Sequence, residues 1–363
     1  MITKEQVIDA LRNVDDPDLK KDLVTLNMVR DVVVEGNKVS FTVVLTTPAC
    51  PMKDLIRNAC FNAIKHFVSM DAEVDINMTA NTNSSRKAGP LLPGVKNIIA
   101  IASGKGGVGK STVASNLAVA LAKKGAKVGL VDADIYGPSA HIMFGLKGER
   151  PYVQEINGKT YLEPIEQYGV KVLSIGFLVD TDQAIAWRGP MASKALQQLF
   201  TDAIWGDLDY MLIDLPPGTG DIHLTLVSSV PVTGAVIVST PQAVALADAR
   251  KGIAMFGMES VKVPVLGIVE NMAYFTPAEL PENKYYIFGK DGAKELAQKM
   301  EVSLLGQIPL VQSICEAGDE GTPIVLQKEH PAAKAFFELA ENVVRTVSVQ
   351  NARKEEESHP VLN

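Results

Sequence analysis

Apolar residues fall along this chain in short runs separated by longer amphipathic stretches. Asn97-Ile98-Ile99-Ala100-Ile101-Ala102 is a compact, β-branched run that reads as a buried strand. Ser111 to Lys124 follows, rich in Ala, Leu and Val and closed by Gly125, which predicts a helix with a glycine C-cap. The alternation continues with a strand at 129–134 and others at 171–177, 209–215, 234–240, 265–270 and 303–308. Strands in step with helices predict an α/β fold, a doubly wound and mostly parallel sheet. Upstream, Thr3 to Asn13 reads as a capped helix and Val39 to Thr46 as a strand. Met52, Leu55, Ile56, Ala59, Cys60, Ala63, Ile64, Phe67 and Val68 then form an i, i+3, i+4, i+7 stripe, the signature of one helix face turned to a core.

Between these parts lies Asn81 to Gly94, polar at first and then rich in Pro and Gly, which reads as a linker. The expected organisation is a small α/β domain over 1–80, the linker over 81–94, and a larger domain over 95–348. The charged end, 349–363, is expected to be a flexible tail. A chain of 363 residues has room for two domains, and 47% hydrophobic residues supply two cores.

The net charge of −7 argues against non-specific nucleic-acid binding. No apolar run approaches the ~18 residues of a membrane span, and Met1-Ile2-Thr3-Lys4-Glu5 opens no signal peptide. With three cysteines, this predicts a cytoplasmic protein without structural disulfides, membrane contact or nucleic-acid partner.

The chemistry is concentrated in Gly104-Lys105-Gly106-Gly107-Val108-Gly109-Lys110-Ser111, which fits G-x-x-x-x-G-K-[ST] between a strand and a helix. Its glycines let the backbone curl until its N–H groups converge on phosphate oxygens, and the helix start at Ser111-Thr112 adds positive potential. Lys110 is expected to reach the β- and γ-phosphates, and the Ser111 hydroxyl to bind Mg²⁺. Asp132 and Asp134 end a strand at alternate positions, where acids of a parallel sheet face the ligand crevice. Asp134 is the candidate to position or activate water, and Asp132 a candidate to help organise Mg²⁺. Tyr210 to Gly220 runs an apolar strand through Asp214 into Pro216-Pro217-Gly218; Asp214 is the second Mg²⁺ candidate and Gly218 a backbone donor to the γ-phosphate. No Asn-Lys-x-Asp guanine signature occurs, and Asn271, ending the 265–270 strand, is the candidate adenine contact, which favours ATP.

Lys105 is not needed to cradle phosphate. The K-G-G-x-G-K-[ST] variant resembles the deviant Walker A group of dimeric ATPases: MinD, ParA, the nitrogenase iron protein and the Mrp/ApbC carriers. The resemblance implies that Lys105 crosses a dimer interface to the partner's nucleotide and acts like an arginine finger. The bland alternative is a solvated loop lysine. Further segments narrow the resemblance to Mrp/ApbC iron–sulfur cluster carriers: Leu92 to Asn97, Asp132 to Ser139, Trp187-Arg188-Gly189-Pro190, Asp214 to Asp221 and Glu270-Asn271-Met272. Asp16-Pro17-Asp18 and Thr47-Pro48-Ala49-Cys50-Pro51 resemble the small domain associated with iron–sulfur assembly. The family implies a homodimeric ATPase that delivers clusters to apoproteins or scaffold proteins. The alternatives are a MinD/ParA-like positioning ATPase and a nucleotide-gated scaffold that holds no cluster.

One departure is plain. The family carries a C-x-x-C pair shortly after Glu-Asn-Met, and residues 273–286 here contain no cysteine. Cys50 precedes Pro51 near the start of the striped helix, where the dipole favours thiolate. It reads either as a reactive thiolate and cluster ligand or as a structural turn cysteine. Cys60 lies on the apolar stripe and reads as core, about 15 Å from Cys50 along one helix, too far to share a cluster in cis. Cys315 reads as structural. Any cluster is expected to be labile.

Overall fold

The computed structural model describes residues 2–86, 91–178, 189–277, 279–280 and 282–358. The chain divides into two units, Met1–Ser85 with Val344–Asn363, and Arg86–Val343.

The first unit opens with α1 (Lys4–Leu11). The Thr3 hydroxyl accepts from the Gln6 N–H while the Gln6 side chain accepts from the Thr3 N–H, a capping box that satisfies two orphan donors. Strands β1 (Val29–Glu35) and β2 (Lys38–Leu45), helix α2 (Lys53–Phe67) and strand β3 (Glu73–Ala80) complete its sheet, ordered β1-β2-β3. β1 and β2 are antiparallel; β2 and β3 are parallel, joined through α2. Val39, Phe41, Val43 and Leu45 alternate inward from β2 and share a core with Ile56, Cys60 and Ile64 of α2. The helix starts at Lys53, with Met52 as its N-cap, so Cys50 lies in the preceding turn. The helix-dipole argument for a thiolate at Cys50 therefore does not hold.

The second unit holds β4 (Val95–Ala102), α3 (Lys110–Lys123), β5 (Val128–Asp132), α4 (Ala140–Met143), β6 (Tyr152–Ile156), β7 (Lys159–Glu163), β8 (Ile165–Gln167) and β9 (Val170–Ser174). It continues with α5 (Gly189–Thr201), β10 (Leu208–Asp214), α6 (Asp221–Ser229), β11 (Gly234–Ser239), α7 (Ala243–Phe256), β12 (Val265–Glu270), α8 (Gly292–Lys299), β13 (Ser303–Gln307), α9 (Gln312–Asp319) and α10 (Pro331–Ser358). Eight strands form one sheet in the order β13-β12-β11-β4-β10-β5-β9-β8. All neighbours are parallel except the edge strand β8, which runs antiparallel to β9. β5, β10 and β11 are buried at every position, as strands covered by helices on both faces must be. The β6–β7 hairpin stands apart as its own two-stranded sheet. Of the sequence motifs, Trp187 and Arg188 lie outside the described residues.

Residues 349–358 of the expected flexible tail are helical, and 359–363 lie outside the described residues. α10 runs to Ser358, and its residues from Val344 belong to the first unit. Val344, Val347, Ser348 and Asn351 are buried at i, i+3, i+4, i+7 spacing. Asn351 donates to the Asn83 carbonyl and accepts from the Ser85 hydroxyl, and Arg345 meets Asp18 at 2.6 Å. Residues 81–85, expected as linker, are thus part of the first unit. Arg86 instead reaches the carbonyls of Leu91, Leu92 and Val95 in the second.

Candidate nucleotide site

The glycine loop joins the end of β4 to α3, beside β10 and β11. Its shape requires glycine at particular places. Gly107 and Gly109 have φ of +81° and +78°, the left-handed region that side chains disfavour. A Cβ on Gly104 would collide with the Asp248 backbone of α7, and one on Gly109 with the Asn271 amide. Gly106 and Gly107 are exposed at the tip, and Gly104, Lys105, Ser111 and Thr112 are half-buried around it. The Lys105 carbonyl accepts from the Ser103 hydroxyl at 3.0 Å.

Lys110 is 6% exposed and gathers the predicted acids. Its Nζ lies 2.6 Å from Asp214 Oδ1, 3.7 Å from Asp134 Oδ2 and 3.3 Å from the Ser111 hydroxyl. These residues come from three separate segments, brought together because β4, β10 and β5 are adjacent and end on the same side of the sheet. Asp214 is 1% exposed, and its Oδ2 is buried without a hydrogen-bond partner among the described residues. Burial pushes its carboxyl up to about 6, against the pull of Lys110. An unmatched carboxylate oxygen beside a serine hydroxyl is a hard-oxygen donor set that fits Mg²⁺.

Asp132 has a different place from the one expected. Its Oδ2 accepts from the N–H groups of Ser139 and Ala140 and from the Ser174 hydroxyl; its Oδ1 accepts from the Asp134 N–H. Both oxygens are occupied, so Asp132 organises the 133–140 loop instead of offering a free oxygen to Mg²⁺. Asp134 in turn accepts from the Tyr136 and Gly137 N–H groups through Oδ1, which leaves Oδ2 toward Lys110. Gly218 (φ +97°) donates its N–H to the Ser103 carbonyl at 2.9 Å.

Asn271 is 5% exposed, and its Nδ2 donates to the Val108 carbonyl of the glycine loop at 2.8 Å. A carbonyl can only accept, so the NH₂ end of the amide must face the loop. Glu270, beside it, is fully buried and accepts from the Ala293 N–H and from Gln307 Nε2. It thereby joins the two ends of the 271–292 segment. Sequence reading passed over Ser174 and the bracing roles of Glu270 and Asn271; nothing in their local spacing announces them.

Cys60 is fully buried, and its thiol is pushed up to about 12 by desolvation. Cys50 is half-buried, packed against the first unit's core, and Cys315 is exposed on α9. No helix of the described residues is long and apolar enough to cross a membrane.

A glycine loop between a parallel strand and a helix, its lysine paired with the carboxylate that ends a neighbouring strand, defines a P-loop NTPase. Residues 94–344 match the family described as NUBPL iron-transfer P-loop NTPase, and residues 4–76 match that described as iron-sulfur cluster assembly protein. The chain belongs to the iron-transfer P-loop NTPase family, with the assembly-type domain in front. It is 49% identical to the iron-sulfur cluster carrier protein of Synechocystis sp. over 356 residues, covering 96% of this chain and 99% of that one. It is 44% identical to the carrier protein of Escherichia coli K12 over 343 residues, 94% of this chain and 91% of that one. Among solved structures, the nucleotide-binding protein of Archaeoglobus fulgidus in complex with ADP is 41% identical. That match has a TM-score of 0.57 and covers 68% of this chain and 93% of that one.

Proposed function

We propose that the second unit binds Mg²⁺ and ATP, hydrolyses ATP, and couples this to carrying iron–sulfur clusters to apoproteins as a cytoplasmic homodimer. The observation that carries the ATPase reading is the convergence of Lys110, Asp214, Asp134 and Ser111 on the glycine loop. Ser111 and Asp214 would hold Mg²⁺, which neutralises charge on the β- and γ-phosphates. Lys110 exchanges Asp214 for phosphate oxygens, Asp134 orients the attacking water, and the Gly218 N–H exchanges the Ser103 carbonyl for the γ-phosphate. Lys105 supplies its charge to the partner protomer's nucleotide.

The base follows from Asn271. With Nδ2 committed to Val108, Oδ1 remains, and it can only accept. The exocyclic amine of adenine is a donor, while guanine offers a carbonyl oxygen at the corresponding position, so Asn271 favours ATP. The names of the relatives favour the carrier reading over a positioning ATPase or a scaffold without a cluster.

The cluster is cargo, and this chain does not hold it as the family's C-x-x-C would. Residues 273–288 offer no thiolate, and Cys60 is sealed in the core. Cys50 is the ligand candidate in the assembly-type unit. One such thiol per chain needs a second protomer, glutathione or a partner to complete the coordination, so binding is labile. Anaerobic reconstitution of wild type, Cys50→Ser and Cys60→Ser with iron and sulfide tests this. Iron should be retained weakly by wild type and Cys60→Ser and lost with Cys50→Ser. A cluster that survives gel filtration in Cys50→Ser would refute the assignment and point to Cys315.

A further inference from the structure

Helix α6 contains a buried histidine that the nucleotide chemistry leaves unused. His223 is 2% exposed and heads the inward stripe that continues with Leu226, Val227 and Val230. Its Nε2 lies 2.5 Å from the carbonyl oxygen of Pro216. That oxygen can only accept, so Nε2 carries the proton. Burial holds the imidazole below its ordinary pKa, and the Lys110 ammonium acts in the same direction.

Pro216 occupies a critical place. It lies two residues after Asp214, which ends β10, and two before Gly218. The loop is anchored by the Leu215 N–H, which donates to the Ile101 carbonyl of β4 at 3.0 Å, and by the Gly218 N–H on Ser103, just past the end of β4. Neither Pro216 nor Pro217 has an N–H, so between these anchors the chain has no backbone donor of its own. The Pro216 carbonyl is held from the other side, by His223. If Gly218 turns from Ser103 toward a γ-phosphate, the His223 bond determines where the bend begins.

We propose that His223 is a positioning residue for ATP hydrolysis: it fixes Pro216 so that the loop turns only beyond it, at the left-handed Gly218, and presents the Gly218 N–H to the γ-phosphate. The proposal rests on the ATPase reading above. A loop released at Pro216 samples more arrangements, and fewer of them place the N–H within hydrogen-bond reach of the transferring group. The glycine-loop contacts that bind the remainder of the nucleotide do not involve His223, so the loss falls on turnover.

The test uses the full chain, with His223→Ala and His223→Gln compared to wild type by steady-state ATPase assay, ATP binding and thermal unfolding. Glutamine carries an N–H at about the position of Nε2. His223→Ala should lower kcat by about tenfold or more while KM for ATP stays within about twofold. His223→Gln should recover most of the turnover. Unchanged kcat in His223→Ala, or a loss expressed in KM, would overturn the proposal. So would a His223→Gln chain as slow as His223→Ala while folded with wild-type thermal stability. Lys110→Ala separates this from the parent reading. If it abolishes turnover while His223→Ala does not reduce it, only the role of His223 falls; if Lys110→Ala turns over normally, the ATPase reading falls as well.

Discussion

Replacing Asn271 by alanine separates two roles that one amide combines. Its Nδ2 braces the glycine loop at Val108, and its Oδ1 is the acceptor assigned to the adenine amine. Losing the brace forfeits a neutral hydrogen bond of about 1 kcal/mol net, and leaves the carbonyl of the buried Val108 short of its donor, at about 1–3 kcal/mol. These losses weaken ATP and GTP alike, because both depend on the same loop. Losing Oδ1 removes a favourable contact with adenine only, and also removes an acceptor that faces guanine's carbonyl oxygen and disfavours it. The ATP-to-GTP affinity ratio should therefore fall by about 1–2 kcal/mol, or roughly fivefold to thirtyfold, on top of the common loss. Isothermal titration of each nucleotide against wild type and Asn271→Ala measures both quantities. If the two affinities fall in parallel and the ratio is unchanged, Asn271 is a brace alone and the base assignment is wrong.

Three further outcomes follow from the geometry. Mixing Lys105→Ala chains with Lys110→Ala chains should recover part of the activity, since each heterodimer keeps one site with both lysines intact; no recovery from proven heterodimers would exclude action in trans. Because the Asp214 pKa is raised to about 6, its carboxylate is present above that pH and lost as pH falls through it. Mg²⁺-dependent tightening of ATP binding should weaken by up to about tenfold per unit below pH ~6, and a response that stays flat down to pH ~4 would contradict the raised value. Deleting 344–363 strips fully buried Val344 and Val347 from the first unit, at about 1.5–3 kcal/mol each. Cys60 should then become reactive to a thiol reagent under native conditions, and a Cys60 still protected in the truncated chain would show that the unit does not need this helix.

The local sequence determined most of the phosphate chemistry, because that chemistry is itself local. A glycine at φ +78° next to a lysine and a serine at a helix start are fixed by adjacent residues, and the pattern states them directly. The alternation of strands and helices likewise foretold the parallel sheet, since strands buried on both faces must be apolar throughout. Other features arise between distant segments. Asp132 and Asp134 both read as site acids on one strand end, Asp132 for Mg²⁺ and Asp134 for water. Only the neighbouring β9, which brings the Ser174 hydroxyl, and the fold-back of 139–140 consume the oxygens of Asp132 and leave Asp134 to face Lys110. The 349–363 end read as a flexible tail from its charge; the helix is held through Ser348 and Asn351, polar residues whose partners, Asn83 and Ser85, lie over 260 positions away. Cys50 looked like a helix start because Pro51 suits one, yet the first turn forms two residues later. His223 and the Pro216 carbonyl illustrate the same limit: a run without backbone donors is legible in the sequence, but which side chain supplies the missing donor depends on how the next helix packs.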